Sequence, residues 1–503
     1  MKGHVDRCVL SFDAVPRSTD LLIVGSGLVG SAIARIVRSS LPGVKILMVD
    51  AGPVLPGRPG EHLANLHPAN MTQRPFFDTG QHAAKAAGAA ALEAAAQARP
   101  GMELVFGGIG DLPAYAQSSN VGGMGVRWTC ATPRPDIAER DLWLPDDVWE
   151  DTLSCAERLL RVSRDPWPST PVTDRLLNHL RRGYHELPRP VAPMPAAFNR
   201  SAEPNSGWTG PGVVLGDLLE EAPESFALVP EALCTQLVRT GDRLTGARIA
   251  ATGQCDSRLV QTRAVVVAAD AVRTPQLLWA SGIQPDALGR YVGEHFQLLA
   301  AVAWAGRAAG SHDADRTAAM VWVPYCPGHE MQGQVMLFDQ QPAVPDVAGS
   351  GQEESVAGLS WLIPPVICRD NRITFSDSAI DQAGMPQPQV TYPLGDEDQE
   401  RIRQAVQDQR RAMRTLGDRV LPGGSPRLLP RGSSLHLTGT VRAGADDDGR
   451  SVCAPDGRVW GLENLFVAGN SVISASTACN PTLTSVALAV HAAASVSRLI
   501  RCG

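Results

Sequence analysis

The chain has 503 residues, 44% of them hydrophobic, with a formal net charge of -7 and a pI near 5.9. That is enough apolar material for one large core or two linked ones, and the acidic balance argues against nucleic acid and anionic membranes as partners. Met1–Arg7 carries no apolar leader, no uninterrupted apolar run reaches the ~20 residues that span a bilayer, and ten cysteines lie scattered without a Cys-x-x-Cys pair; a cytoplasmic protein with free thiols and no metal is expected.

In chain order, Asp20–Val24 reads as a short apolar strand, Leu28–Ser39 as a helix and Val44–Val49 as a second strand ending at Asp50, a βαβ unit of nucleotide-binding size. His82–Ala98 is dominated by alanine and predicts a helix. The Pro-rich stretch Pro188–Pro211 predicts a long loop or linker. Ala264–Ala268 is strand-like and is followed by a helical pattern, Thr274–Ser281. Six β-rich runs then follow between turn signals: Leu298–Trp304, Ala319–Val323, Gln334–Phe338, Leu359–Ile363, Asn371–Phe375 and Gln389–Tyr392. They predict an antiparallel sheet in a second, substrate-facing layer. Asp396–Leu416 is a charged helix with one solvated face, and Pro481–Ile500 is the last helix. The fold class expected is α/β, with a Rossmann-like cofactor domain (18–160, 225–297 and 430–503) interleaved with a substrate domain (161–224 and 298–429) on a six-stranded, mainly antiparallel sheet.

Gly25-Ser26-Gly27-Leu28-Val29-Gly30 follows the first strand and opens the helix. Gly25 permits the tight turn, Gly27 lets the backbone approach a pyrophosphate, and Gly30 allows close packing of helix on strand; amides at the helix N-terminus then face the phosphates. Asp50, twenty residues after Gly30, stands where a carboxylate takes hydrogen bonds from an adenosine ribose. The glycine motif alone does not separate FAD from NAD. Asp50-Ala51-Gly52-Pro53 forms a turn common after the ribose acid in flavoproteins. Gly469-Asn470-Ser471 precedes Asn480-Pro481-Thr482, where Pro481 suits the first position of a helix whose positive end can face an anionic reduced flavin. Both features favour FAD.

Further segments resemble a known family. Asn120-Val121-Gly122-Gly123-Met124, then Trp128-Thr129-Cys130-Ala131-Thr132-Pro133, is similar to the flavin-contacting loop of pyranose oxidases, within the glucose–methanol–choline (GMC) oxidoreductases. Leu288-Gly289-Arg290-Tyr291, Leu435-His436-Leu437, Gly439-Thr440 and Asn480-Pro481-Thr482-Leu483-Thr484 match the same group. The resemblance runs from the first strand to the last helix. It implies FAD contacts from Gly122, Gly123, Met124, Arg127, Trp128, Thr129, Cys130, Ala131, Asn470, Pro481 and Thr482, with Cys234 in the adenine-contacting segment. It also implies a catalytic pair, His436 and Asn480. The chemistry suits them: a neutral imidazole can accept the hydroxyl proton of an alcohol near neutral pH, and an amide can hold the same oxygen without competing for the proton. His295, in Gly293-Glu294-His295-Phe296, is read as structural.

Arg127 stands where covalently flavinylated pyranose oxidases carry the linking histidine. A guanidinium cannot form that bond, so non-covalent FAD is expected. Val126 replaces a threonine frequent in the group, which bears on how the reduced flavin meets oxygen, so the acceptor is O2 or another oxidant. Val441 stands where many members carry a second histidine. The resemblance implies a pyranose or glycoside oxidase acting on a C2 or C3 ring hydroxyl, C-glycosides included. The alternatives are an aminoglycoside 6'-alcohol oxidase and a GMC dehydrogenase for a non-sugar alcohol; outside the family, an NAD-dependent dehydrogenase or a non-catalytic FAD binder. Trp304, Trp322 and Trp361 could stack on sugar, but core packing accounts for most such tryptophans.

Overall fold

A computed structural model describes residues 7–66, 104–106, 108–141, 143–167, 169–199, 207–254, 257–304, 319–338, 355–417, 420 and 423–502. The helix expected over His82–Ala98 lies outside these residues.

The apolar strand Ser18–Val24 sits near the middle of a seven-stranded sheet. Parallel neighbours are Ile46–Val49 on one side and the far half of Ser257–Val267 on the other, with Phe226–Val229 and Leu465–Val467 added in parallel outside them. The buried runs Leu21–Val24, Ile46–Val49 and Ala264–Val267 are apolar on both faces, as parallel strands covered on two sides must be. The near half of Ser257–Val267 continues into an antiparallel meander with Arg243–Ala251 and Ala232–Thr240. Helix Leu28–Ser40 and the final helix Pro481–Cys502 share a core with the sheet through Ile33, Ala34, Val37, Ala489, Ala493 and Val496. The final helix is long and apolar enough to cross a membrane, but 72% of its most apolar window is buried inside the protein. It is a core helix.

The second sheet has six strands, all antiparallel, in the order Arg427–Leu428, Phe296–Trp304, Ser355–Ile363, Gln332–Phe338, Ala319–Val323, Ala192–Pro193. Four of the six expected β-runs are in it. The other two, Arg372–Ile380 and Pro386–Thr391, form a hairpin of their own, and the sheet is completed by edge pairings two residues long, below the length at which alternation is readable. Charged helix Asp396–Leu416 buries Ala405, Gln409, Ala412, Met413 and Leu416, and its remaining face is solvated as the composition requires. Trp304, Trp322 and Trp361 are buried in this layer's core. Among the described residues three helices went unread in the sequence, Asp146–Leu160, Pro171–Gly183 and the short Pro211–Leu215; the Thr170 cap, Pro171 at the first position and the apolar Leu176/Leu180 spacing would have signalled the second.

Candidate active site

The glycine motif adopts the geometry its spacing implies. A Cβ on Gly25 would lie 2.3 Å from the Ala268 carbonyl oxygen, and one on Gly30 would lie 2.1 Å from that of Gly25, so both glycines are required by packing alone. Gly27 differs: the nearest atom to its Cβ position is the Gly122 oxygen at 3.8 Å. Gly27 caps helix Leu28–Ser40, with no side-chain cap and no acidic residue in the first turn. The mouth of the motif is thus left open in front of a positive helix end, a fit to a pyrophosphate. Gly123, across from it in the 3-10 turn Gly123–Val126, likewise has nothing within 4 Å of its Cβ position.

Ser26 joins these parts. Its hydroxyl donates to Asp50 Oδ2 at 2.5 Å and accepts from the Gly122 amide at 2.8 Å, while the Ser26 and Gly52 amides donate to Asp50 at 3.1 and 3.0 Å. Val121 N–H reaches the Pro53 carbonyl at 2.9 Å. Asp50 and the loop of Gly122, Gly123 and Met124 are therefore one unit. Burial pushes the Asp50 carboxyl up to about 6, against the hydrogen bonds from Ser26 and Gly52. Ala51 is fixed by Thr252, whose hydroxyl donates to its carbonyl at 2.6 Å. The Ala232 amide bonds the Asp50 carbonyl at 2.7 Å, which starts the strand that carries buried Cys234.

Arg127 is buried, and its Nη1 donates to Ser118 Oγ and Asn120 Oδ1, both at 2.7 Å. Burial lowers its pKa to about 10, so it remains a cation at neutral pH. Trp128 donates its indole N–H to the Thr209 carbonyl at 2.8 Å, and its own carbonyl lies 2.9 Å from His62 Nε2. Thr129 is exposed, whereas Cys130 is buried with a positive φ of 58°. Ala131 forms a β-bridge with Ala196. Thr209 thus holds the Trp128 indole, His62 holds the Trp128 carbonyl, and Ala196 pairs with Ala131, which locks the loop in place.

The second cluster is built by backbone pairing. Gly293 and Thr438 exchange N–H···O bonds of 3.1 and 2.8 Å in an antiparallel bridge. Two residues onward on one strand and two back on the other, His295 and His436 stand opposite each other, as antiparallel register dictates. Their Nδ1 atoms are 2.9 Å apart, and their rings meet edge to face at 86°. The other nitrogen of His295, Nε2, is 2.5 Å from the Thr477 carbonyl oxygen. Beyond His436, the chain is zipped to the turn holding Asn470: Gly439 N–H reaches the Asn470 carbonyl at 3.3 Å and Val441 N–H the Ser471 carbonyl at 2.9 Å. Glu294, buried beside His295, accepts from the Ser434 hydroxyl and, at 3.5 Å, from the His436 amide; burial pushes it up to about 7.

Asn480 precedes Pro481, the first residue of the final helix, with Thr482 half-buried after it. The segment before it is held by buried Glu139, whose Oε1 accepts from Thr477 Oγ1 at 3.0 Å, Ala478 N at 2.8 Å and Cys479 N at 2.9 Å. Gln332 Nε2 and Gln334 Nε2 both lie 2.7 Å from Asn480 Oδ1. Trp322 fixes the sense of these bonds. Its indole N–H can only donate, and it meets Gln332 Oε1 at 3.0 Å, so Gln332 presents its NH2 to Asn480, whose oxygen is the acceptor. Asn480 Nδ2 is left as a donor. His436 and Asn480 are tied to one framework through His295 and the Thr477–Asn480 segment.

Sequence reading missed Gln332, Gln334, Glu139 and the contact of His295 with His436. Gln332 and Gln334 stand two apart on one face of a strand, a weak signal; a polar pair inside an otherwise apolar run was the available cue. Among the described residues no group of His, Cys, Asp and Glu could hold a metal ion.

Models of the GMC oxidoreductase family match residues 215–299 and 368–489. A C-glycoside 3-oxidase from Arthrobacter globiformis is 37% identical over 97% of this chain and 96% of its own length. A pyranose 2-oxidase from Tricholoma matsutake is 29% identical over 97% of this chain and 95% of its own. A solved structure of formate oxidase from Aspergillus oryzae superposes with a TM-score of 0.69 at 13% identity, covering 97% of this chain and 99% of that one, a likeness of fold. The chain belongs to the GMC oxidoreductases, a family of FAD-dependent enzymes, in the branch of the pyranose oxidases.

Proposed function

We propose that this chain oxidises a ring hydroxyl of a pyranoside to a ketone, the C3 hydroxyl of a C-glycoside first among them, using non-covalently bound FAD. The full-length likeness to a C-glycoside 3-oxidase carries the choice of substrate class and ranks it above an aminoglycoside or a non-sugar alcohol. FAD, when bound, supplies the hydride acceptor. Gly25, Gly27 and Gly30 would hold its pyrophosphate against the helix end, Asp50 its ribose, and the loop from Gly122 to Ala131 its ring system. His436 accepts the hydroxyl proton as the carbinol C–H leaves as hydride, which balances an alcohol going to a ketone. Asn480 donates from Nδ2 to the same oxygen and offsets the negative charge that grows there. Its Oδ1, saturated by Gln332 and Gln334, does not compete for the proton.

An anaerobic screen of C-glycosides, free pyranoses and aminoglycosides, read by bleaching of the flavin bands, tests the substrate class. Bleaching by C-glycosides or pyranoses is expected; bleaching by aminoglycosides alone, or by no sugar, refutes it. Acid precipitation tests the cofactor linkage: a colourless pellet is expected, and a yellow one contradicts non-covalent binding. Peroxide formation, compared with reduction of a quinone dye, identifies O2 or another acceptor.

A further inference from the structure

We infer that His295 is a positioning residue that fixes the tautomer of His436, making Nε2 the nitrogen of His436 that takes the substrate proton. This assignment rests on His436 being the base and adds to it which ring atom acts and what prepares it. It comes from counting protons along one chain of contacts. A carbonyl oxygen only accepts, so the 2.5 Å contact with the Thr477 carbonyl requires a proton on His295 Nε2. His295 is 3% exposed, and burial lowers its pKa to about 4, so at neutral pH the ring carries that one proton and its Nδ1 is a lone pair. This lone pair lies 2.9 Å from His436 Nδ1. Two lone pairs do not meet at hydrogen-bond distance, so the proton between them belongs to His436 Nδ1. In the neutral ring Nε2 is then unprotonated, the state a base must start from.

The arrangement is built rather than incidental. The Gly293–Thr438 bridge sets the two rings opposite each other. The Thr477 carbonyl belongs to the segment that Glu139 grips through three hydrogen bonds. When His436 gains the substrate proton, its Nδ1–H bond to His295 becomes charge-assisted and strengthens. His295 thus does with a neutral acceptor what a carboxylate does behind the imidazole of a catalytic triad. Glu294 also lies against His436, bonding its amide and Ser434; it touches the backbone of this residue and does not choose between its ring nitrogens.

The test uses the FAD-loaded enzyme, 15N-labelled at histidine, as wild type, His436→Ala, His295→Leu and His295→Gln. The His436 signals, assigned by their loss in His436→Ala, are expected to show the Nδ1-protonated pattern in the wild type and a mixed or Nε2-protonated pattern in His295→Leu. Anaerobic flavin reduction by the best sugar of the screen is expected to fall about 10²- to 10⁴-fold in His295→Leu, with FAD content kept and KM little changed. In His295→Gln most of it returns, since an amide again offers one acceptor and one donor. A wild-type His436 protonated at Nε2 overturns the inference, as does a His295→Leu enzyme with an unchanged reduction rate and pH profile. His436→Ala reducing at the wild-type rate instead refutes the base itself. If His295→Leu does not fold, the wild-type spectrum and His295→Gln decide.

Discussion

Alanine in place of each motif glycine separates a cofactor cradle from a glycine-rich turn of purely structural use. At Gly27 the backbone sits at φ -62° and ψ -179°, open to any residue, and the new methyl would have its nearest neighbour 3.8 Å away. Gly27→Ala should therefore cost the apoprotein no more than about 1 kcal/mol, the difference between Gly and Ala at an N-cap. The same methyl enters the space left in front of the helix end. Displacing a phosphate from one or two amide contacts costs about 1.5–3 kcal/mol each, as hydrogen bonds to charged groups do, so FAD should bind about 10- to 100-fold or more weakly. Gly25→Ala must instead accept a φ of +104° and a methyl 2.3 Å from the Ala268 oxygen, and should lose several kcal/mol of fold stability. Thermal melts of the apoproteins and FAD titrations by fluorescence quenching read the two quantities independently. If Gly27→Ala binds FAD like the wild type, the pyrophosphate does not pass in front of Gly27; if it melts as early as Gly25→Ala, the space is structural.

Three further outcomes follow from named contacts. Gln332→Leu removes one of the two donors that hold Asn480 Oδ1 and should slow anaerobic flavin reduction about 10- to 100-fold with FAD retained; Gln332→Glu, which would attract the Asn480 NH2 and turn the amide around, should slow it more, and equal or faster reduction in the Glu variant refutes the assigned polarity. FAD affinity should fall with pH. Asp50 in the free protein is pushed up to about 6, ribose hydroxyls donating to it favour its ionised form, so binding releases a proton and Kd should rise towards tenfold per pH unit below 6; a flat Kd between pH 5 and 7 contradicts this. Glu294 is raised from 4.5 to about 7, so the folded chain keeps a proton that the unfolded chain gives up. Its contribution to stability therefore worsens as pH rises from 4.5 to 7, by about 3 kcal/mol. Melting temperatures of Glu294→Gln and wild type, compared at pH 4.5 and pH 8, should diverge in favour of the variant at the higher pH.

The parts of the fold that were legible in the sequence are those with a local cause. Asp20 to Asp50 encodes strand, turn, helix and strand within about thirty residues, because each step is forced by a nearby clash or by an apolar run with no polar face. The long β-runs were readable for the same reason. Their grouping was not: Arg372–Ile380 turns back through Asp381–Met385 to pair with Pro386–Thr391, and nothing in either run says that its partner is its neighbour and not the larger sheet. The edge pairings Ala192–Pro193 and Arg427–Leu428 are too short to alternate.

The polarity of the site was hidden for a deeper reason. His436 and Asn480 could be found by their resemblance to a motif, but a motif names residue types and does not say where their protons lie. The proton on His436 is set by a ring 141 residues away, brought opposite by a single bridge between Gly293 and Thr438. The sense of the Asn480 amide is set 148 residues away, by Gln332, and through it by the indole of Trp322. A histidine and an asparagine with their hydrogens exchanged would have the same spelling and would offer the substrate a donor in place of a base and an acceptor in place of a clamp. Two groups that can only donate or only accept, the indole N–H of Trp322 and the carbonyl of Thr477, stand at the outer ends of these chains and determine every proton between. In the proposed mechanism the accepting nitrogen of His436 and the donating end of Asn480 are thus set from outside the pair, by residues whose own contact with substrate is not needed for their effect.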